Sequence, residues 1–492
     1  MRTLITSDHV LAYDGTSHAL LRDGAVAIDD DTIAWVGPAA AAPEHYDERI
    51  DLGDSLLMPG LIDLDALTDI DHLILDSWWA PEHMARLQWS TDYFDNRREH
   101  VFTAAERQRV REYAITQLAL HGITSFMPIA SEVHSEWAES YEDFVAVADY
   151  TQRIGLRGFL GPAYRSGVNT VAADGTKGVS FAPELGEAGF AEAVRFLDYV
   201  AELADPRVTG VLLPCRIETL TPELLRKTAD TASERGVLVR LHALQGHFER
   251  DYLVRERGMT PLELLAESGL LNDRLIIPHG TVIDINPAVH GEDRGDLGTL
   301  VDAGVSIVHC PLTNGRYGSH LETFGRYADR GVNIALGSDS FPPDLIRGID
   351  VGVQAAKIQN GDLSRGDLAR YVEALTLGGA RALNRDDLGR IAVGAQADLT
   401  AFSLSDVRIG PLEDPLRTLV LGGTARDANL TMVAGTVVMR DGKVPGVDLE
   451  LLKREGQELF DKLRSAYAGR DYLGGTTEEL FPPVFGAYGD SE

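Results

Sequence analysis

Four residues able to hold a metal ion or move a proton stand at the ends of apolar, strand-like runs. His242 closes a run at 238–242, His279 one at 275–279 and Asp339 one at 333–339, while His309 lies near the end of 306–310. Imidazoles and a carboxylate converging on one point make a site for a divalent ion, zinc being the best match to this ligand type. Singly, each is as well explained as a satisfied core or rim residue. Their equivalent positions argue for convergence. Weaker candidates follow other runs: Tyr164-Arg165-Ser166 after 158–161, and Arg216 with Glu218 after 209–213. Arg165 suits a two-point contact with a carboxylate, and rim salt bridges are the competing reading. Trp78, Trp79 and Trp89 follow the first run, where they either stack on a flat substrate or pack a helix or dimer contact.

Positioning such residues takes a scaffold that brings strand ends together. Eight apolar runs, at 61–64, 124–129, 158–161, 209–213, 238–242, 275–279, 306–310 and 333–339, alternate with helix-period segments such as 222–235 and 261–268. Pro222 and Pro261 each precede good helix formers, as expected at a first helical position. The alternation is that of a parallel sheet with crossover helices, and eight units predict an α/β fold of the (β/α)8 TIM-barrel type, with its chemistry at the strand C-terminal ends. A doubly wound open sheet would need a Gly-rich first turn, and none is present. Residues 1–57 and 385–445 read as short strands broken by turns at Asp14-Gly15, Gly435 and Asp441-Gly442, with 419–421 among the strand-like runs. They predict one small β-sandwich built from both chain ends. The expected division is therefore sandwich 1–57, barrel 58–384, sandwich 385–445, then a helix at 449–467 and a tail within 446–492.

The 492 residues carry 45 Lys and Arg against 76 Asp and Glu, a net charge of −31. That excludes the basic surface by which proteins grip nucleic acid. With 44% hydrophobic and 25% charged residues, the chain has the makings of a folded globular protein. Cys215 and Cys310 are too few for a disulfide framework. No leader pattern and no run of about 18 apolar residues occurs, so a cytoplasmic protein without a membrane partner is expected.

A family pattern runs through the same residues. Leu57-Met58-Pro59-Gly60-Leu61-Ile62-Asp63, Arg240-Leu241-His242-Ala243, His279-Gly280, His309-Cys310-Pro311-Leu312-Thr313-Asn314, Ala335-Leu336-Gly337-Ser338-Asp339 and Gly389-Arg390-Ile391-Ala392-Val393-Gly394-Ala395-Gln396-Ala397-Asp398-Leu399 together resemble the amidohydrolase superfamily, in its branch of cytosine and guanine deaminases and triazine hydrolases. The resemblance implies a zinc ion, with iron or manganese as alternatives, that activates water against a carbonyl-like or amidine carbon. It implies ligation by His242, His279 and Asp339, proton transfer by Asp339 and His279, and a homo-oligomer acting on a small molecule.

Two departures qualify the pattern. Where the family has an HxH pair ending the first strand, this chain has Asp65-Ala66-Leu67, leaving Asp65 as one oxygen ligand and Leu67 unable to bind. Where the family has a proton-shuttling glutamate three residues after the fifth-strand histidine, this chain has Gln245, an amide that only orients by hydrogen bonds. For Asp69 and Asp71 a solvated charge run and a place in the site are both open, and His72 is a substitute ligand or acid–base group should its loop fold back. The expected site is thus Asp65, His242, His279 and Asp339 for the metal, with Gln245, His309, Tyr164 and Arg165 for substrate. The loss of the shuttle favours hydrolysis run backwards, a cyclodehydration at an sp² carbon, as in the similar benzoxazole-forming enzymes of actinobacterial secondary metabolism. Hydrolysis or deamination of a cyclic amide, amidine or aminoheterocycle is the alternative, and a catalytically dead binding relative the third.

Overall fold

A computed structural model describes residues 1–71, 81–129, 137–319, 321, 324–486 and 488. Eight parallel strands follow one another in chain order. Leu61–Leu67, Ile123–Ile129, Arg157–Leu160 and Val208–Gly210 form one four-stranded sheet, and Val239–Arg240, Leu275–Pro278, Ser306–His309 and Asn333–Leu336 the other. Bridges between Leu212 and Val239 and between Arg216 and His242 join the two at one seam. At the other, the Asp339 N–H donates to the Asp65 carbonyl at 2.9 Å, and Ser338 N–H to the Asp63 carboxylate at 3.0 Å. The result is an α/β, TIM-barrel-like domain whose strand ends gather at one face.

Each predicted run lies at a strand, but the fifth and eighth strands stop at Arg240 and Leu336. His242, His279 and Asp339 therefore sit just past their strands, on irregular backbone free to turn inward. Helices pack outside, started by side-chain caps that satisfy otherwise orphaned N–H groups. Thr103 and Glu106 form a capping box for Ala104–Leu120, and Thr221 with Pro222 starts Pro222–Arg235.

Both chain ends meet in one mixed eight-stranded sheet. Its order is Thr436–Arg440, Ala428–Val433, Leu399–Ser403, Ser55–Pro59, Arg2–Tyr13, His18–Asp29 and Thr32–Pro38, with Glu48–Asp51 beside Arg2–Tyr13. Side-chain alternation along Ser55–Pro59 sends Leu57 into the cluster of Ile5, Val26 and Leu430, and sends Leu56 and Met58 into the core shared with the barrel. Arg157, on the third barrel strand, forms a buried two-point contact with Asp398 at 2.8 and 3.1 Å that ties the sheet to the barrel.

Two elements depart from expectation, and the C-terminal helix follows it. Residues 419–421 lie in a helix, Pro415–Gly422, because Pro415 occupies its first turn and Asp414 caps it by accepting from Arg417 N–H. An unforeseen three-stranded sheet, Lys177–Phe181, Gly167–Val171 and Trp89–Ser90, stands beside the strand ends. The C-terminal helix Leu449–Ala466 packs on Ala104–Leu120, and the tail beyond it ties down Pro81–Leu87 through the Asp471–Arg86 ion pair at 2.7 Å. No helix among the described residues is long and apolar enough to cross a membrane.

Candidate metal centre and active site

Asp65, at the end of the first barrel strand, is fully buried. Its Oδ1 accepts from Arg240 Nη1 at 2.8 Å, while its Oδ2 lies 3.6 Å from His242 Nε2 and 3.8 Å from His279 Nε2. Burial pushes its carboxyl upward, yet His242 and Arg240 together hold it below the ordinary carboxylate range. The Cys310 thiol, itself raised by burial and by Asp65, donates weakly to Oδ2 at 3.6 Å.

His279 is oriented from the side away from the centre. Its Nδ1 lies 2.9 Å from Asn314 Oδ1, which only accepts, so Nδ1 carries the hydrogen and the Nε2 lone pair faces inward. Burial pushes His279 down to about 3, so the ring is neutral near pH 7. Nε2 has no hydrogen-bond partner among the described residues, and Asp339 Oδ2 is 3.6 Å away. A lone pair and two carboxylates thus face one another. Such a set calls for a cation.

The spacing fits a single ion. With metal–ligand bonds of about 2.0–2.2 Å, the edges of a tetrahedral site measure roughly 3.3–3.6 Å. Asp65 Oδ2 lies 3.6 Å from His242 Nε2 and 3.8 Å from His279 Nε2, and Asp339 Oδ2 lies 3.6 Å from His279 Nε2. Asp65, His242 and His279 present atoms all within 4.8 Å of one another. Backbone strain accompanies the arrangement: His279 has φ 67° and Asp339 φ 38°, left-handed conformations that non-glycine residues adopt at a cost. They are held by His279 N–H to Val308 carbonyl at 2.8 Å and by the Thr313 hydroxyl, which donates to the Asp339 carbonyl. Gly337 allows the eighth strand this close, since a Cβ there would lie 2.7 Å from that of Asp65.

Above the centre opens a cavity of about 400 Å³. Leu67, Leu87, Trp89 and Val168 give it an apolar side, and Arg165, Arg216, Gln245 and Asn169 a polar one. The Arg165 guanidinium lies 5.3 Å from the Trp89 ring centroid and 5.5 Å from that of Trp137, with its Nε donating to the Trp137 carbonyl. Arg216 bridges Glu218 at 3.1 Å and Gln245 Oε1 at 2.5 Å, and Asn169 donates to the same Glu218 oxygen. Glu249, buried and facing Glu218, is pushed up to about 8. Its carboxyl accepts from the N–H groups of Leu244 and Gln245, fixing the loop after His242.

The structure brings Asp65, His242 and His279 together, sets Asp339 beside His279, and places Gln245, Arg165 and Trp89 on the cavity wall. Two expectations for substrate contact need correction. Tyr164 is buried in the core, its hydroxyl 2.8 Å from that of Thr228. His309 is absent from the cavity lining, its ring packed near Phe324 and Tyr371 at 5.6 and 6.1 Å. Asp69 and Asp71 are not solvated but buried near Arg111, and Asp71 is raised by burial and by Asp69. His72, Trp78 and Trp79 lie outside the described residues. Sequence reasoning missed Arg240, Asn314 and Glu249. Arg240 stands two residues before His242, but nothing in the sequence marks it until the facing Asp65 is known.

Comparison with known proteins adds a family match. The model of the amidohydrolase family matches residues 56–438, and that of an imidazolonepropionase-like composite domain of bacteria matches residues 24–48. The 5-methylthioadenosine/S-adenosylhomocysteine deaminase of Halobacterium salinarum is 28% identical over 460 residues, covering 91% of this chain and 95% of its own. That of Pyrococcus furiosus is 28% identical over 458 residues, covering 91% and 97%. In fold, the chain resembles a zinc-bound adenosine deaminase from Xanthomonas campestris, with TM-score 0.75, 22% identity and coverage of 94% and 98%. It also resembles the zinc complex of atrazine chlorohydrolase from Arthrobacter aurescens, with TM-score 0.75, 20% identity and coverage of 93% and 99%.

Proposed function

The chain belongs to the amidohydrolase family, and from that premise we propose that it is a single-metal hydrolase of the deaminase type, cleaving a C–N bond at an sp² carbon of a small, planar heterocycle. The observation that carries this reading is the convergence of His279 Nε2, His242 Nε2 and the Asp65 and Asp339 carboxylates beneath a cavity of small-molecule size. These four residues would hold zinc, with iron or manganese as alternatives. When bound, such an ion supplies Lewis acidity toward the C=N or C=O carbon and toward water.

The chain's own residues do the rest. Asp339 accepts the proton of the water that adds to the carbon and returns it to the nitrogen as the C–N bond breaks and ammonia leaves. Asn314 keeps His279 in the tautomer that leaves Nε2 free. Arg216 occupies Gln245 Oε1, so the amide donors of Gln245 are the part that meets the substrate, orienting it without titrating. Leu67 and Trp89 bound the flat apolar side, and Arg165 favours a substrate with an anionic group at the far end.

The relatives' names, with the deaminase branch that the sequence resembles, supply the first substrates to try. Metal-loaded protein should release ammonia from at least one of 5′-methylthioadenosine, S-adenosylhomocysteine, adenosine, guanine, cytosine and an aminotriazine. Asp339→Asn should abolish that release. A second reading, ring closure with loss of water, is favoured by Gln245, which cannot serve as the family's proton shuttle; the names of the relatives do not favour it. Products lighter by one water in mass spectra, with no ammonia, would move the assignment there. Neither product, together with no bound metal, would leave a binding protein.

A further inference from the structure

We infer that Arg240 is the positioning residue that makes an aspartate workable as a ligand in this centre, holding Asp65 with one oxygen toward the histidines and restoring the positive charge that Asp65 removes. The inference rests on the single-ion reading above. The family resemblance implies neutral imidazoles at the end of the first strand, where this chain has Asp65 and Leu67. With Asp339, the replacement sets two carboxylates on one divalent ion and cancels its charge. A centre with one carboxylate and neutral imidazoles keeps a net charge of plus one, and with it the ability to withdraw electrons from a substrate. The Arg240 guanidinium, 2.8 Å from Asp65 Oδ1 with both side chains buried, returns that charge without competing for Oδ2.

The geometry is specific to this role. Arg240 ends the fifth strand and His242 follows two residues on, and both side chains reach Asp65, so one segment delivers both a ligand and the counter-ion of the ligand opposite. Because Nη1 occupies Oδ1, Asp65 offers the centre a single oxygen. A buried carboxylate deprived of such a partner is left uncompensated and free to rotate or protonate. Partners of this kind, one bond removed from the ion, typically set roughly 10–100-fold in metal affinity.

The test is zinc affinity, measured by competition with a chromophoric chelator on the full chain, beside the melting temperature of the metal-free protein. Arg240→Met should weaken zinc binding roughly 10–100-fold, and Arg240→Lys, which keeps a charge without the planar fork, by less. Asp65→His alone should also bind weakly, its imidazole facing a buried guanidinium. Adding Arg240→Met to Asp65→His should recover affinity to within roughly tenfold of wild type, a coupling that a purely structural role would not produce. If Arg240→Met does not fold, Arg240→Lys carries the same comparison. Unchanged zinc affinity in the Arg240 variants, even with a lowered melting temperature, would overturn the inference, as would a double variant no better than Asp65→His. Wild-type protein that binds no zinc at all would remove the single-ion reading itself.

Discussion

Asp65 and His279 show how a few side chains convert a family scaffold into a particular centre. Asp65 is divided between Arg240 on one oxygen and the histidines on the other, and His279 between Asn314 and the centre. The gathering of His242, His279 and Asp339 was legible in the sequence because each ends a strand-like run. Their supports were not, since a buried arginine two residues from a histidine has no distinguishing sequence signal until the facing carboxylate is known. Tyr164 teaches the converse: a polar residue near a strand end turned into the core, where Thr228 satisfies it. Tyr164→Phe should therefore cost about 1 kcal/mol of stability and leave kcat and KM unchanged, as chemical denaturation and steady-state kinetics would show. Glu249 predicts a pH dependence. It keeps its proton in the folded chain up to about 8, against 4.5 ordinarily. Folding therefore binds the proton more tightly, and its contribution is complete below about 4.5, shrinks as pH rises and is gone past 8. Relative to Glu249→Gln, wild-type melting temperature should fall between pH 5 and pH 8.

At the scale of elements, the centre depends on the seam between the first and eighth barrel strands. Asp63, pushed up to about 6 by burial, accepts from the N–H groups of Asp65 and Ser338, and the Asp339 N–H reaches the Asp65 carbonyl. Gly337 permits this approach. Gly337→Ala would place a methyl 2.7 Å from Asp65 Cβ and 2.9 Å from Val308 Cγ1. Overpacking of that kind costs about 1–3 kcal/mol, and here it should also lower zinc affinity, because Asp65 is the atom group displaced. Calorimetric unfolding with and without zinc would separate the two effects. The eight strands were readable from apolar runs and periodicity alone. Strand termini were not, nor was the sheet formed by Trp89–Ser90 with Gly167–Val171, whose pairing joins segments about 80 residues apart. Residues 419–421 misled because a short apolar run fits helix and strand alike, and the cap at Asp414 decided between them.

Across the whole molecule, the two chain ends are held to the barrel by polar contacts such as His18 with Thr376 and Thr431 with the Ala119 carbonyl. Arg157 and Asp398 form a buried ion pair across this junction, and Asp398 also accepts from Ala434 N–H at 2.8 Å. Removing one member leaves a buried charge without compensation, so Arg157→Ala should cost about 3–5 kcal/mol, nearly independent of salt because the pair is shielded from solvent. Urea unfolding at low and high NaCl would check both the size and the salt insensitivity. The pairing of chain ends was visible in the sequence as strands lacking partners at both termini. That those strands would join one continuous sheet was not, because register and edge order depend on long-range packing that local patterns do not encode.

A single metal ion held by Asp65, His242, His279 and Asp339 is the premise of the proposed chemistry. A crystal structure of the purified chain, with anomalous scattering measured on both sides of the zinc absorption edge, tests it directly. One anomalous peak per chain is expected, about 2.0–2.2 Å from the Asp65 and Asp339 carboxylates and the Nε2 atoms of His242 and His279, with Arg240 still on Asp65. No peak at this position after soaking in zinc, or an ion held by other residues, would contradict it.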